Sequence, residues 1–417
     1  TSNNYGIKLT VETATPAPMD DILIDRNVII TSGTSSTNRG IYLDGSTSRS
    51  EFRNTITNNQ IRTSGTSSNR GIVVFAGNTT RIVNNTVTTN GTTTDNHGIE
   101  ITGGSLNTNI TNNTISTNGT LRNRGIRTGT NSNNTIIQNN IVSTRGTSFN
   151  WGITISGLPI SANNVTILNN SVLTNGADRN MGIKLEDGVT NSTVSGNVVI
   201  TNGTSFSNFG ITFSFGASNN TIQNNTISTV GSVTSHGLRV EAGADNNVFY
   251  SNTVRTSGAS SYGVLVGANA TGTVANNSVF TDTILNGTVQ WITADNGTNS
   301  NFTNTTFLTP NGSIRINGTF TLAGPQDVSR SRLDITANNS YLNSTNLSFL
   351  NQSAQITLYN VTIAGGTFLV DEEDDSTYVA CTPPQCVDSG SAGTTYIFNV
   401  TQWTSYAIGE ANFLINL

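Results

Sequence analysis

The sequence predicts an all-β chain: a right-handed parallel β-helix of about ten three-strand coils followed by a β-rich C-terminal region. Three observations carry that expectation. Gly followed by Ile, Leu or Val recurs at Gly6, Gly40, Gly71, Gly98, Gly125, Gly152, Gly182, Gly210, Gly237 and Gly263, in steps of 34, 31, 27, 27, 27, 30, 28, 27 and 26 residues. A stricter track places an apolar anchor at Ile29, Ile61, Val87, Ile115, Val142, Val172, Val199, Ile227, Val254 and Val279, with Asn two residues before and Thr two after each. Inside each short apolar piece the alternation has period 2, the spacing of a strand and not of a helix.

The first strand of a repeat is of the type Gly182-Ile183-Lys184-Leu185. The second ends at an apolar residue five before the anchor, such as Ile24, Ile56, Ile82, Ile110, Val194, Ile222 or Val274. The third runs from the anchor to its Thr. An odd spacing of five between two inward residues requires a bend, and Asn tolerates the left-handed conformation of a tight bend. Stacked coils, each rising about 4.8 Å, then place like residues over like. Asn85, Asn113, Asn140, Asn170, Asn197 and Asn225 are expected to form a structural ladder, each amide donating to the next. The residue before each repeat Gly is Tyr5, Arg39, Arg70, His97, Arg124, Trp151, Met181, Phe209, His236 or Tyr262, a column suited to ring stacking and Arg–π contacts.

The repeat assigns residues 1–285 to the helix and 286–417 to a second, β-rich region that caps it, since an open apolar end would aggregate. Charged residues make up 10% of the chain and the balance of 19 basic and 24 acidic side chains is −5, with the basic ones scattered, so nucleic acid is not an expected partner. No apolar run approaches the ~18 residues of a membrane span. Thr1 opens the sequence without Met, as in a processed form. The only cysteines, Cys381 and Cys386, are expected to pair in an oxidising, extracellular setting.

The NNTI…TNGT…GI pattern resembles the parallel β-helix repeats of pectate-lyase-like and copper-maturation periplasmic proteins over roughly residues 1–285. The stretches NFTNTTFLTPNGSIRINGTFTL (301–322), NSTNLSFLNQSAQITLYNVT (343–362), CTPPQC and FNVTQWTSYAIGE (398–410) resemble the C-terminal region of secreted archaeal β-helix surface proteins. That resemblance implies a cell-surface location and glycosylation, not a reaction.

Chemistry is sparse. The outward positions of the first strand are Lys8, Tyr42, Val73, Glu100, Arg127, Thr154, Lys184, Thr212, Arg239 and Leu265, with no carboxylates on adjacent coils. Glu100 beside Arg127 reads as a surface ion pair. Glu186 and Glu241 share a column two coils apart, with Asp187 loosely beside them, and are the residues a hydrolytic reading would need. In the acidic run 371–375, Asp371, Glu373 and Asp375 are calcium candidates, although the spacing is not that of a calcium loop. No catalytic residue and no cofactor is expected. Sequons at Asn286, Asn296, Asn301, Asn304, Asn311, Asn317, Asn338, Asn343, Asn346, Asn351, Asn360 and Asn399 have no repeat to explain them and predict N-linked glycans. In the repeat, sequons arise partly because a coil wants Asn and then Thr.

The expected function is an extracellular structural glycoprotein, a self-assembling fibre or cell-surface scaffold or adhesin subunit. Tyr5 and Ile7 at the first coil, and Phe413, Leu414, Ile415 and Leu417 in the last strand, are the residues expected to contact other copies. The alternative is a carbohydrate-active β-helix enzyme or a polysaccharide-binding spike. Its mark would be a rod face lined by carboxylates, Arg and aromatic rings, walled by the insertion at residues 10–21 with Pro16 and Pro18.

Overall fold

The computed structural model describes residues 3–10, 21–34, 37–45, 53–158, 160–267, 275–295, 298–363 and 365–410. Three long sheets run the length of the solenoid. The first begins with Asn4–Thr10 and Asn38–Asp44 and reaches Gln290–Ala294. The second begins with Leu23–Asp25 and reaches Asn299–Thr303, and the third begins with Val28–Ser32 and reaches Thr306–Thr309. Every pairing up to those strands is parallel and joins equivalent residues of successive coils, as in Ile115 to Val142 and Val142 to Val172. The anchors, the second-strand residues such as Ile110 and Ile137, and the first-strand pair Ile99 and Ile101 meet in one continuous apolar core.

Parallel pairing thus continues past residue 285, the boundary drawn from the repeat. The last anchor also moves. Val279 lies in the second sheet opposite Val248, with its side chain outward, and Leu285 takes the anchor slot opposite Val254. The sequence pattern misled here because Thr281 and Asn277 reproduce the expected flanks two residues either side of Val279. Asn277 instead occupies a left-handed turn with φ 53°. Val274, read as part of that repeat, and the insertion at 11–20 lie outside the described residues.

All three sheets are closed by strands of the same chain running the other way. Gln326–Val328 pairs antiparallel with Gln290–Ala294, Thr319–Ala323 with Asn299–Thr303, and Gly312–Ile316 with Thr306–Thr309. The third sheet then continues through Ala354–Leu358 and Tyr396–Val400 to Cys386–Asp388. A separate five-stranded antiparallel sheet contains Leu333–Thr336, Asn339–Leu342, Ser405–Gly409, Thr367–Asp371 and Val379–Ala380. Cys381 and Cys386 are disulfide-bonded, with 5.6 Å between their Cα atoms.

The expected ladder is present and fully bonded. Asn85, Asn113, Asn140, Asn170, Asn197 and Asn225 are each at most 1% exposed. The Oδ1 of Asn140 accepts from the backbone N and Nδ2 of Asn113 at 2.9 and 3.0 Å, while its Nδ2 donates to Ile110 O at 2.8 Å and to Asn170 Oδ1 at 3.0 Å. The left-handed residue at this bend is not the ladder Asn but the one before it: Asn84, Asn112, Asn139, Asn169 and Asn224 have φ between 53° and 58°. The two jobs assigned to one Asn are divided between two.

A second ladder, beyond the one the repeat predicts, runs beside the first sheet. Asn4, Asn38, Asn69, Asn96, Asn123, Asn150, Asn180 and Asn208 join amide to amide at 2.6–3.0 Å along the corner between the third and first sheets. It explains the Gly four residues after most anchors. A Cβ on Gly119 would lie 2.2 Å from Asn96 Nδ2 and 2.4 Å from Asn123 Oδ1.

Candidate functional site

The outer face of the first sheet gathers several of the chain's flat and charged side chains. Parallel register stacks Arg70, His97, Arg124, Trp151, Met181 and Phe209 in one column. A neighbouring column carries Val73, Glu100, Arg127, Thr154, Lys184 and Thr212. A third contains Ser156, Glu186 and Ser214, with Glu241 on the next coil.

These columns pair internally. The Glu100 carboxylate is clamped between Arg70 Nε and Arg127 Nη1, both at 2.5 Å, and Glu100 is only 4% exposed. It is therefore a buried two-arginine clamp and not the surface pair expected. Lys184 bonds Glu186, and Arg239 bonds Glu241. The Lys184 Nζ and the Arg124 guanidinium each lie 4.5 Å from the Trp151 ring. Arg239 covers Phe209 at 4.3 Å and Arg39 covers Tyr42 at 4.4 Å. Phe209 stacks on His236 at 5.5 Å, and His236 meets Tyr262 at 5.8 Å. The ring-and-cation column read from the sequence is therefore real. At the sheet's edge Phe149 holds a left-handed φ of 55°, costly for a bulky residue. Its ring and that of Phe206 flank the Arg179 guanidinium at 4.9 and 5.5 Å.

Burial tunes several of these groups. It lowers Arg124 to about 10, helped by Arg127, and raises Tyr42 to about 12, helped by a hydrogen bond to Asp44. The Glu241 carboxyl is raised by burial, against the pull of Arg239 and Lys184. His97 is held well below 6.5 by burial and then by Arg124, and burial followed by Arg239 pushes His236 down to about 3. His236 Nδ1 accepts from the backbone N of Tyr262 at 3.1 Å, which suits a neutral ring.

A pH dependence follows. Between about 6.5 and about 3 the unfolded chain protonates at His236 while the folded chain does not. The stabilisation is whole above pH 6.5 and falls with acid by up to about 1.4 kcal/mol per pH unit in that window. Glu241 acts in the opposite sense, regaining stability as pH falls through its raised pKa. Denaturation midpoints at pH 7 and pH 4 should differ clearly in the native sequence and less in His236→Phe. Equal differences would remove His236 from the account.

The Glu100 clamp yields another expectation. Glu100→Gln keeps the shape and leaves two arginines facing each other without a counter-charge. The loss should be about 2–3 kcal/mol, below that of a fully buried pair because the arginine side chains are 21% and 31% exposed. An unchanged urea midpoint would show that solvent screens the clamp completely.

The other sequence candidates lie elsewhere. Asp371 is 3% exposed, and its carboxylate accepts from the backbone N of Asp375 at 3.2 Å and of Ser376 at 2.8 Å. Asp375 accepts from the Thr377 N at 2.7 Å, and Asp374 from the Ser344 N at 2.7 Å and its Oγ at 2.6 Å. Carboxylate oxygens of Asp371, Asp374 and Asp375 are thus engaged in holding the loop, and among the described residues no group of three or more His, Cys, Asp or Glu is arranged to hold a metal ion around the calcium candidates Asp371, Glu373 and Asp375. Asn286, Asn301, Asn304, Asn311, Asn317, Asn338, Asn343, Asn346, Asn351, Asn360 and Asn399 are all half-buried or exposed, and Asn296 lies outside the described residues. Tyr5 and Ile7 sit in the first strand, Asn4–Thr10, with Tyr5 stacked on Tyr42 at 5.7 Å. Phe413, Leu414, Ile415 and Leu417 lie outside the described residues. No helix among the described residues is long and apolar enough to cross a membrane.

Coils, ladders and end strands together define a right-handed parallel β-helix protein with a C-terminal antiparallel β region. The chain belongs to the right-handed β-helix family: the model described as "Right handed beta helix region" matches residues 1–198 and, overlapping, 92–227. Similar solved structures include the A-module of mannuronan C-5 epimerase AlgE6 of Azotobacter vinelandii, at 16% identity over 74% of this chain and 90% of that one, TM-score 0.42. The A-module of AlgE4 from the same organism is similar at 15% identity over 70% of this chain and 88% of that one, TM-score 0.39. The Dettilon tailspike protein is similar at 16% identity over 93% of this chain and 87% of that one, TM-score 0.38. No curated protein matches. At these identities the likeness is one of fold.

Proposed function

We propose that this chain is an extracellular structural glycoprotein, a stiff rod that serves as a cell-surface scaffold. The observation that carries the reading is the use of its polar residues. Two buried asparagine columns bond coil to coil, and the carboxylates Glu100, Glu186 and Glu241 on the outer face of the first sheet are spent on neighbouring cations, as in the Arg70–Glu100–Arg127 clamp. Exposed and half-buried sequon asparagines in the second region support the glycoprotein part. Association with other copies belongs to the same reading, but not by simple coil-on-coil stacking at the C-terminal end. There antiparallel strands of the chain itself pair with all three sheets. Electron micrographs of native surface material should show rods carrying this chain. Turnover of a polysaccharide, lost in Glu186→Gln or Glu241→Gln, would overturn the proposal.

A second reading, a polysaccharide-binding spike, is favoured by one observation. Lys8, Arg39, Arg70, Arg124, Arg127, Lys184 and Arg239, seven of the chain's 19 basic residues, share the outer face of the first sheet with Tyr5, Tyr42, Trp151, Phe209 and Tyr262. Sugar rings stack on such surfaces and acidic sugars pair with such cations. Binding to a polysaccharide panel, weakened at least tenfold by Trp151→Ala at unchanged stability, would establish this reading. No binding across neutral and acidic polymers would remove it.

A further inference from the structure

We propose that one corner of the rod, between the second and third sheets, carries N-linked glycans on Asn84, Asn112, Asn169 and Asn224. The inference rests on the reading that the chain is exported, and it extends glycosylation from the second region to the solenoid.

At this corner four coils turn through an Asn-Asn-Ser/Thr sequence whose two asparagines have opposite fates. The first, at Asn84, Asn112, Asn169 and Asn224, is exposed and left-handed, with φ of 56°, 58°, 53° and 54°. The second, at Asn85, Asn113, Asn170 and Asn225, is buried in the ladder. The third residue supplies a hydroxyl, at Thr86, Thr114, Ser171 and Thr226, and is also exposed. Each acceptor amide and the hydroxyl that completes its sequon therefore meet solvent together. The ladder asparagines of these coils cannot head a sequon. Two residues after each comes the inward anchor, Val87, Ile115, Val172 or Ile227. A glycan on the first Asn leaves every hydrogen bond of the second intact.

The chemistry needs a saccharide donor carried on a polyprenyl phosphate or diphosphate. The Asn Nδ2 bonds to the anomeric carbon, the bond from that carbon to the phosphate oxygen breaks, the lipid phosphate leaves, and the amide gives up one proton to the catalytic base of the transferase.

Spacing sets occupancy. Asn84 and Asn112 lie on adjacent coils, about 4.8 Å apart, whereas Asn112, Asn169 and Asn224 follow at two-coil intervals of about 9.6 Å. The intervening coils have Asn139, followed by Asn140-Ile141 with no hydroxyl, and Gly196. An oligosaccharide is bulkier than one strand spacing. Asn84 and Asn112 therefore exclude each other on one molecule, while Asn169 and Asn224 fill independently.

The test is to secrete the full chain from eukaryotic cells, remove glycans enzymatically in H2-18O, and map labelled aspartate by peptide mass spectrometry. Label is expected at Asn169 and Asn224, and at either Asn84 or Asn112 but not both on one peptide. Thr114→Ala should at least double occupancy at Asn84. Ser171→Ala should abolish label at Asn169 with an unchanged melting temperature. Label confined to second-region sites such as Asn317 and Asn360 would overturn the corner while leaving the glycoprotein reading in place. A secreted chain with no label anywhere would overturn both.

Discussion

Gly125→Ala is expected to destabilise the middle of the rod by about 3 kcal/mol or more. A Cβ at that position would lie 2.1 Å from Val142 Cγ1 and 2.6 Å from the carbonyl oxygen of Gly152. Neither can retreat. Val142 is 1% exposed in the anchor column between Ile115 and Val172, and Gly152 belongs to the next strand of the first sheet. The requirement is close approach and not left-handed backbone, since Gly125 is absent from the positive-φ glycines. Val142→Ala makes a cavity and is itself destabilising, by about 1–2 kcal/mol. In the double variant the side-chain clash disappears and the carbonyl clash stays, so the combined loss should fall short of the sum of the single losses. Hydrogen exchange should locate the loss in coils flanking Gly125. A variant as stable as the native chain would mean that the first and third sheets are not in contact there.

The same close approaches show why some of this architecture could be read from the sequence and some could not. The anchor and its Asn are legible because they recur at fixed offsets within one short segment, where a bend constrains both. The second ladder left an equally regular signal, an Asn two residues before the Gly in Asn38, Asn69, Asn96, Asn123, Asn150, Asn180 and Asn208. That signal is ambiguous, because sequence offset alone does not say whether the Asn or the large residue beside it, such as Arg39 or Trp151, faces inward. Val279 was misplaced because local flanks resemble a repeat, whereas the register is set by the neighbouring coil, where Phe249 and Phe280 stack at 4.4 Å. The outer face shows a deeper limit. Arg239 could turn to several carboxylates or rings; that it bonds Glu241 and covers Phe209 depends on side-chain directions across two adjacent coils. Composition and spacing do not fix such choices.

Asn140→Ala should damage the ladder severely, and its effect should spread to the coil on one side more than the other. Removing the amide deprives Asn113 of the acceptor for its backbone N and Nδ2, and leaves Ile110 O without the Asn140 donor. Unpaired buried groups cost about 1–3 kcal/mol each, so a loss of about 3–5 kcal/mol is expected. Asn170 loses only one of two donors to its Oδ1, because the backbone N of Asn140 still reaches it at 2.9 Å. Amide protection should therefore collapse around Asn113 and persist better around Asn170. Asn140→Asp separates acceptance from donation. The carboxylate can still accept from Asn113 but cannot donate to Ile110 O or Asn170 Oδ1, and it brings an unpaired charge into a site that is 0% exposed. It should be at least as destabilising as alanine at pH 7 and partly recover on acidification, when a protonated carboxyl regains one donor. In a stacked solenoid the unfolding transition need not be two-state, so the comparison should use residue-level exchange as well as the overall midpoint. Equal protection on the two sides of Asn140, or a loss under about 1 kcal/mol, would mean that water and not the ladder satisfies these groups.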